Sequence, residues 1–116
     1  MAEVKYNATL ENKVNTLTLA HFDELGEPDP FAQEDSDTGE AGTYIYITEL
    51  DGTTEVTNTQ CTISTEHPNE LAVRVDLSGV SDVDSDYEHP KYEHLYSIRS
   101  SFKVYMYGKL NIVNIA

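Results

Sequence analysis

Residues 43–64, TYIYITELDGTTEVTNTQCTIS, contain the strongest structural signal in this chain. Two runs rich in β-branched and aromatic residues lie on either side of Asp51-Gly52, the dipeptide best suited to the positive-φ backbone of a type I′ turn. Because successive side chains of a strand point to opposite faces, the first run places its two tyrosines on one face and its two isoleucines on the other. The stretch predicts a β-hairpin. A hairpin alone does not bury a core, so further strands are needed.

The sequence on both sides of this hairpin predicts those strands. Alternating apolar residues indicate strands at residues 4–10, 14–20, 70–77, 95–99, 102–107 and 110–115. We expect a hairpin between the first two, which is the simplest connection, and a bend at Gly108-Lys109 between the last two. No stretch has helical periodicity. Residues 1–116 are therefore expected to form a single all-β domain, an antiparallel β-sandwich or squashed barrel of about seven or eight strands.

The composition disfavours several classes of function. The 21 acidic against 7 basic residues give a net charge of −14, which disfavours direct binding to nucleic-acid phosphates or to an anionic membrane surface. The charge favours docking on a basic protein surface, or cation binding. The single cysteine, Cys61, excludes an internal disulfide and is expected to be buried within a strand. No apolar run is long enough to span a bilayer and no signal peptide is recognisable, so we expect a protein made and kept in a cytoplasm.

An acidic loop, residues 21–42, interrupts the strand pattern. It contains no Lys or Arg and has eight carboxylates: Asp23, Glu24, Glu27, Asp29, Glu34, Asp35, Asp37 and Glu40. Since these charges repel one another and cannot enter a core unless neutralised, two interpretations are open. The loop is either solvated and mobile, or ordered by a partner or a cation, with Phe22, Leu25 and Phe31 as its apolar anchors.

A second acidic segment offers a candidate calcium site. Alternate carboxylates occur at Asp82, Asp84, Asp86 and Glu88, and oxygen ligands of this kind hold hard cations. The spacing resembles an EF-hand loop, but Tyr87 stands where the sharp turn requires glycine, and strands rather than helices flank the segment. We therefore expect a solvated loop, with a looser calcium site as the alternative. No other cofactor is predicted.

Tyrosines supply the remaining candidate contacts, since no catalytic pattern is recognisable. The chain has no nucleophile elbow, no phosphate-binding glycine loop and no Cys-His pair at a recognisable spacing, so we expect no enzyme. Tyr44 and Tyr46, like Tyr105 and Tyr107, repeat at the period of a strand. Such rows either pack across strands or form a recognition face, because tyrosine combines a large contact area with a polar tip.

The whole chain resembles small bacteriophage virion accessory proteins of the capsid decoration (cement) and head–tail adaptor types. The resemblance rests on the N-terminal strand Ala2-Glu-Val-Lys-Tyr6, the Thr- and Asn-rich run 53–62, the acidic loops, and the apolar strand that reaches the last residue. It implies a β-sandwich or barrel that sits on a shell lattice, often as an oligomer, and stabilises the shell without catalysis. The expected location is the virion, and the expected partners are capsid or other virion subunits and copies of the chain itself.

These expectations assign partner contacts to particular residues. The acidic loop would dock on basic patches of the shell, and the terminal strands would pair with neighbouring copies. The predicted contact residues are Asp23, Glu24, Asp29, Glu34, Asp35, Asp37, Tyr44, Tyr46, Leu110 and Ile112. Two alternatives remain open: an acidic nucleic-acid mimic that inhibits a basic enzyme, and a calcium-dependent binding module.

Overall fold

The fold is all-β, as the alternating sequence predicts. The computed structural model describes residues 4–5, 7–80, 91–101 and 103–113, and within these ranges every regular element is a β-strand. The strands are β1 (Val4–Lys5), β2 (Ala8–Glu11), β3 (Val14–Ala20), β4 (Glu34–Asp35), β5 (Glu40–Ala41), β6 (Tyr44–Glu49), β7 (Glu55–Gln60), β8 (Thr62–Ile63), β9 (Glu70–Asp76), β10 (Lys91–Arg99) and β11 (Val104–Val113). Over the same ranges, no helix is present that has the length and apolar character to cross a membrane.

Two sheets enclose one core. The larger sheet has the order β1-β11-β10-β6-β7, with β2 also paired to β11, and the smaller sheet has the order β3-β9-β8. Strands β4 and β5 form a short separate hairpin within the acidic loop. Inward-facing residues of both sheets meet in one buried cluster that includes Ile45, Ile47, Leu71, Val73, Val75, Ile98, Leu110 and Ile112. This arrangement is that of a β-sandwich.

The central hairpin is confirmed as the antiparallel pair β6–β7, but its predicted turn type is wrong. Gly52 has a φ of 76°, whereas no described residue other than glycine has a positive φ, so Asp51 does not adopt the type I′ conformation. The Asp51 carboxylate instead accepts the backbone N–H groups of Thr53 and Thr54, at 2.9 and 2.8 Å. These bonds close a longer loop, in which Glu49 N–H donates to the Thr54 carbonyl at 2.9 Å.

The predicted hairpin between residues 4–10 and 14–20 is also wrong. Strand β2 pairs in parallel with β11 in the larger sheet, whereas β3 pairs antiparallel with β9 in the smaller sheet. The turn between them crosses from one sheet to the other, and contacts with the residues that follow β9 hold it there. Asn12 Nδ2 donates to the Val80 carbonyl at 2.9 Å, and Leu77 N–H donates to the Lys13 carbonyl at 3.0 Å. The apolar faces of β2 and β3 therefore meet across the core.

The C-terminal strands differ from their predicted bounds. Strand β10 begins at Lys91, and β11 runs without a break through Gly108 and Lys109, which lie opposite Tyr96 and Leu95. The predicted bend is therefore wrong, and the glycine marks a position inside a strand. Strand β11 has β10 on one side and β1 with β2 on the other, so the predicted C-terminal strand is a covered one.

Cys61 is buried as predicted, although it lies between strands. It follows β7 and precedes β8, at the point where the chain crosses from the larger to the smaller sheet. Its N–H donates to the Thr43 carbonyl at 2.8 Å, and burial raises the pKa of its thiol to about 11. The side chain therefore acts as a small apolar group at this corner of the sandwich.

Candidate functional site

Contacts within the chain itself hold the acidic loop, which the interpretation of it as solvated and mobile did not anticipate. His21 N–H donates to the Asn69 carbonyl at 2.8 Å, and Phe31 N–H donates to the Pro68 carbonyl at 2.9 Å. Further along, Ala32 N–H donates to the Tyr105 hydroxyl at 2.8 Å. These bonds attach the loop to the ends of both sheets, because Asn69 precedes β9 and Tyr105 belongs to β11.

One of the three predicted apolar anchors is confirmed. Phe31 is 2% exposed and packs edge-on against Tyr105, with 4.9 Å between ring centroids. Phe22 and Leu25 are 51% and 87% exposed, so their assignment as anchors is wrong. The side chain that takes their place is His21, which is buried and lies 5.6 Å from the Phe31 ring.

Asp29 is occupied by contacts within the chain. Its Oδ2 lies 3.2 Å from His21 Nδ1 and 3.1 Å from Lys103 Nζ. The ammonium group of Lys103 thus compensates the negative charge of Asp29, the loop carboxylate that contacts His21 in the buried aromatic cluster. Asp29 was predicted to contact a partner, and in this structure its charge holds the loop against Lys103, the residue before β11. Sequence alone did not pair these residues, because His21 and Lys103 are 82 positions apart.

The other predicted acidic contacts lie at the surface. Asp23 Oδ1 accepts the N–H groups of Leu25 and Glu27 at 2.9 and 3.0 Å, so it stabilises its own turn. The exposed carboxylates on or next to this turn and the β4–β5 hairpin include Glu24, Glu34, Asp35 and Asp37. We call Glu34, Asp35 and Asp37 the acidic tip. Its side chains are available to a partner.

The outer surface of the larger sheet joins tyrosines with basic residues. Tyr44 lies opposite Arg99 of β10, and Tyr46 lies opposite Ser97, which in turn lies opposite Tyr107 of β11. Lys109 follows on the same side of β11. We call the group formed by Tyr44, Tyr46, Arg99, Lys103, Tyr107 and Lys109 the aromatic-basic face. It contains three of the seven basic residues of a chain whose net charge is −14.

Two adjoining depressions shape this face. One, of about 530 Å³, is lined by Tyr44, Asn58, Arg99 and Lys103 among others. The second, of about 400 Å³, is lined by Tyr46, Tyr107 and Lys109, and it shares Arg99 with the first. The guanidinium carbon of Arg99 lies 4.4 Å from the centroid of the Tyr46 ring, a cation–π contact that holds the side chain between the two depressions.

The predictions for one tyrosine row and for two contact residues of β11 need correction. Tyr105 and Tyr107 do not form a row, because the pairing of β10 and β11 shifts between Ile98 and Arg99, and Tyr105 turns inward under the acidic loop. Leu110 and Ile112 are 1% and 0% exposed in the shared core, so their side chains do not reach a partner. The terminal strands were predicted to pair with neighbouring copies, whereas β11 has β10 on one side and β1 with β2 on the other.

The predicted calcium site, Asp82 to Glu88, lies outside the described residues. Within the described ranges, no group of three or more His, Cys, Asp or Glu side chains is placed to hold a metal ion. What the described surface offers is a set of hydrogen-bond donors, phenol rings and positive charges suited to carboxylates and polar groups of a partner. No protein-family model matches this chain, and no curated protein matches it.

Proposed function

We propose that this protein is a non-enzymatic attachment protein that binds other protein subunits, and that it serves a virion as a capsid decoration (cement) or related accessory protein. The observation that supports this proposal is the aromatic-basic face on a chain of net charge −14. Tyrosine and arginine are enriched at the energetically important centres of protein interfaces. Here they share one sheet surface, on which Arg99 stands between two depressions.

The charges of the molecule suggest how a partner is oriented. The aromatic-basic face suits an acidic surface, whereas the acidic tip suits a basic one. Because Lys103 of the face holds Asp29 of the loop, the two surfaces have a set relation to each other. A partner with both signs of charge in the matching arrangement is attracted in one orientation and repelled in the others. Such selectivity is what a subunit added to an ordered shell requires.

The sandwich also suits repeated attachment. Its surfaces belong to strands of hydrogen-bonded sheets, so little conformational freedom is lost when a strand surface binds. Many copies on one particle, each with a modest contact, give a stabilisation that no single contact provides. The proposal needs no cofactor and no chemical step.

A charge-reversal pair tests the proposal. Arg99→Glu reverses the charge at the centre of the aromatic-basic face, and Arg74→Glu makes the same change on the exposed surface of the smaller sheet. We expect Arg99→Glu to abolish sedimentation of the protein with purified particles of the virus that encodes it, and Arg74→Glu to leave it unchanged. Binding of the parent protein should weaken as salt rises. Equal binding by both variants, or none by the parent protein at low salt, would reject the proposal.

A further inference from the structure

Strand β3 has one border that no described strand pairs with. It lies at the end of the smaller sheet, with β9 as its only partner among the described residues. Strand β2 precedes it across a short turn, but belongs to the other sheet. Seven residues of β3, Val14–Ala20, therefore form a long sheet edge.

The backbone direction along this edge follows from the bonds at its two ends. The Lys13 carbonyl accepts Leu77 N–H at 3.0 Å, and His21 N–H donates to the Asn69 carbonyl at 2.8 Å, so both point toward the strand formed by β9. Each residue of a strand directs its N–H and its C=O to one side of the strand, and successive residues alternate between the two sides. Leu17 therefore points its backbone groups at β9, and Thr16 and Thr18 point theirs outward.

This edge lacks the features that usually prevent pairing between molecules. Exposed edges are normally interrupted by charged residues, proline or a bulge. The sequence of β3, VNTLTLA, has no charge and no proline, and its pairing with β9 has no shift of register. Among the described strands, β7 forms the other long edge, and it begins with Glu55 and has an irregularity opposite Ile47 and Thr48. The two edges thus differ in how readily they accept a further strand.

We propose that two copies of the chain pair antiparallel along β3, and that their smaller sheets become one sheet of twice the width. Centred on Leu17, this register sets Thr16 of each copy opposite Thr18 of the other, a favourable cross-strand combination. A second copy is the occupant that this edge fits, because the register is self-complementary and sets no like charges opposite each other along β3. The net charge of −14 opposes contact between copies, and β3 offers a stretch of seven uncharged residues where that repulsion is not local.

A cleft beside the edge supports the same pairing. It has a volume of about 350 Å³, lies between β2 and β3, and is lined mainly by apolar side chains, including Leu10, Leu17, Leu19, Ile45, Ile98 and Met106. Residues opposite each other in paired strands share a face, so Leu17 and Leu19 of the second copy would continue the apolar row beyond the mouth of this cleft. The pairing extends the proposed function by naming the contact between copies, and it leaves the aromatic-basic face, on the larger sheet, exposed.

Charge placed on the edge tests the pairing. Thr16→Lys/Thr18→Lys sets like charges opposite each other across the paired edges, while both side chains stay exposed in the single copy. By light scattering after size exclusion, we expect the parent protein at about twice its chain mass of 13.0 kDa and the double-lysine variant at 13.0 kDa. Mixing that variant with Thr16→Glu/Thr18→Glu should restore the doubled mass, which an unfolded variant would not do. The control Ser36→Lys/Thr38→Lys adds the same charge to the acidic loop and should stay paired.

Amide hydrogen exchange tests the geometry without substitution. The Thr16 and Thr18 N–H groups should be protected in the paired protein and become unprotected on dilution, while Leu17 stays protected throughout. A parent protein that stays at the mass of one chain up to millimolar concentration, or fast exchange at Thr16 and Thr18 in a doubled species, would overturn the pairing. The pairing would also be overturned if the control variant Ser36→Lys/Thr38→Lys had the mass of a single chain. Particle binding through Arg99 is measured in a separate experiment. A failure of the proposed attachment to particles can therefore be distinguished from a failure of the proposed pairing of copies.

Discussion

The two sheets follow the same alternation on their inner faces and differ on their outer ones. Inside, Ile45 and Ile47 of the larger sheet meet Val73 and Val75 of the smaller sheet in a single core. Outside, the larger sheet presents tyrosine, arginine and lysine, whereas the smaller sheet presents uncharged residues on β3 and the charged residues Glu70, Arg74 and Asp76 on β9. The inward-facing side chains of each strand thus determine the fold, and the outward-facing side chains determine what each surface can bind.

The two sheets also differ in whether their edge strands are covered by other parts of the chain. In the larger sheet, β1 and β2 cover β11, and the acidic loop packs on the start of that strand through Phe31 and Tyr105. In the smaller sheet, β3 keeps a regular and uncharged edge. The larger sheet is therefore suited to side-chain recognition of a different molecule, and the smaller sheet to backbone pairing with a like strand.

The largest expected effect comes from removing the anchor of the acidic loop. Phe31→Ala deletes a ring that is 2% exposed and belongs to the core, so we expect the free energy of unfolding to fall by about 3–5 kcal/mol. Phe22→Ala, at a side chain that is 51% exposed in the same loop, should change it by about 0.5 kcal/mol or less. Urea denaturation followed by circular dichroism measures both. Similar losses for the two variants would mean that the loop is not held by Phe31.

A second pair of substitutions tests whether the two sheets share their core. Ile112→Ala in the larger sheet and Leu71→Ala in the smaller one remove side chains that are 0% and 3% exposed. Each should lower the free energy of unfolding by about 2–5 kcal/mol, within a single cooperative transition. Two separate transitions in calorimetry would show instead that the sheets unfold independently. Leu25→Ala, at an 87% exposed side chain, is the control that should have little effect.

The alternation of apolar and polar residues predicted most strands and much of the core, because this pattern can be recognised within the local sequence of each strand. Residues 70–77 show this well, since Leu71, Val73, Val75 and Leu77 are all buried as expected. Pairing between distant strands was not predictable in this way. Nothing near residues 4–10 indicates that β2 joins β11 rather than β3, because the partner lies about a hundred residues later.

The candidate site was predictable in its parts but not in its assembly. The tyrosines at positions 44 and 46 and the basic character of the C-terminal region are both visible in the sequence. That Arg99 lies over Tyr46 depends on the register of β6 with β10, and that Tyr105 leaves the surface depends on a bulge. Asp29 and Lys103 meet only because the acidic loop folds back on β11.

A smaller effect is expected from the contact at the centre of the aromatic-basic face. Tyr46→Leu keeps an apolar side chain and removes the ring beneath the Arg99 guanidinium, 4.4 Å away. A double-mutant cycle with Arg99→Gln should give a coupling of roughly 0.5–1 kcal/mol in the free energy of unfolding. The same cycle of Tyr46→Leu with Lys109→Gln should give a coupling near zero. A coupling that is equal in both cycles would show that the contact has no specific role.

The smallest expected effects are two titrations, one at the end of each sheet. Hydrogen bonds from the Thr54 hydroxyl and from the Thr54 and Thr53 N–H groups lower the pKa of Asp51 from 3.8 to about 2, and those from Ser78 lower the pKa of Asp76. Since both carboxylates are stabilised in their charged form, their contribution is complete above the ordinary pKa and is lost as pH falls, for Asp51 between about 4 and about 2.

Carbon NMR of the two carboxyl groups measures these pKa values directly. Because the Thr54 hydroxyl is the largest cause at Asp51, Thr54→Val should raise the Asp51 pKa toward 3.8 and leave that of Asp76, in the other sheet, where it was. An unchanged Asp51 pKa in this variant would mean that the backbone N–H groups alone hold the turn. The β6–β7 connection would then keep its shape through the bonds from these N–H groups to the Asp51 carboxylate, without a contribution from the Thr54 hydroxyl.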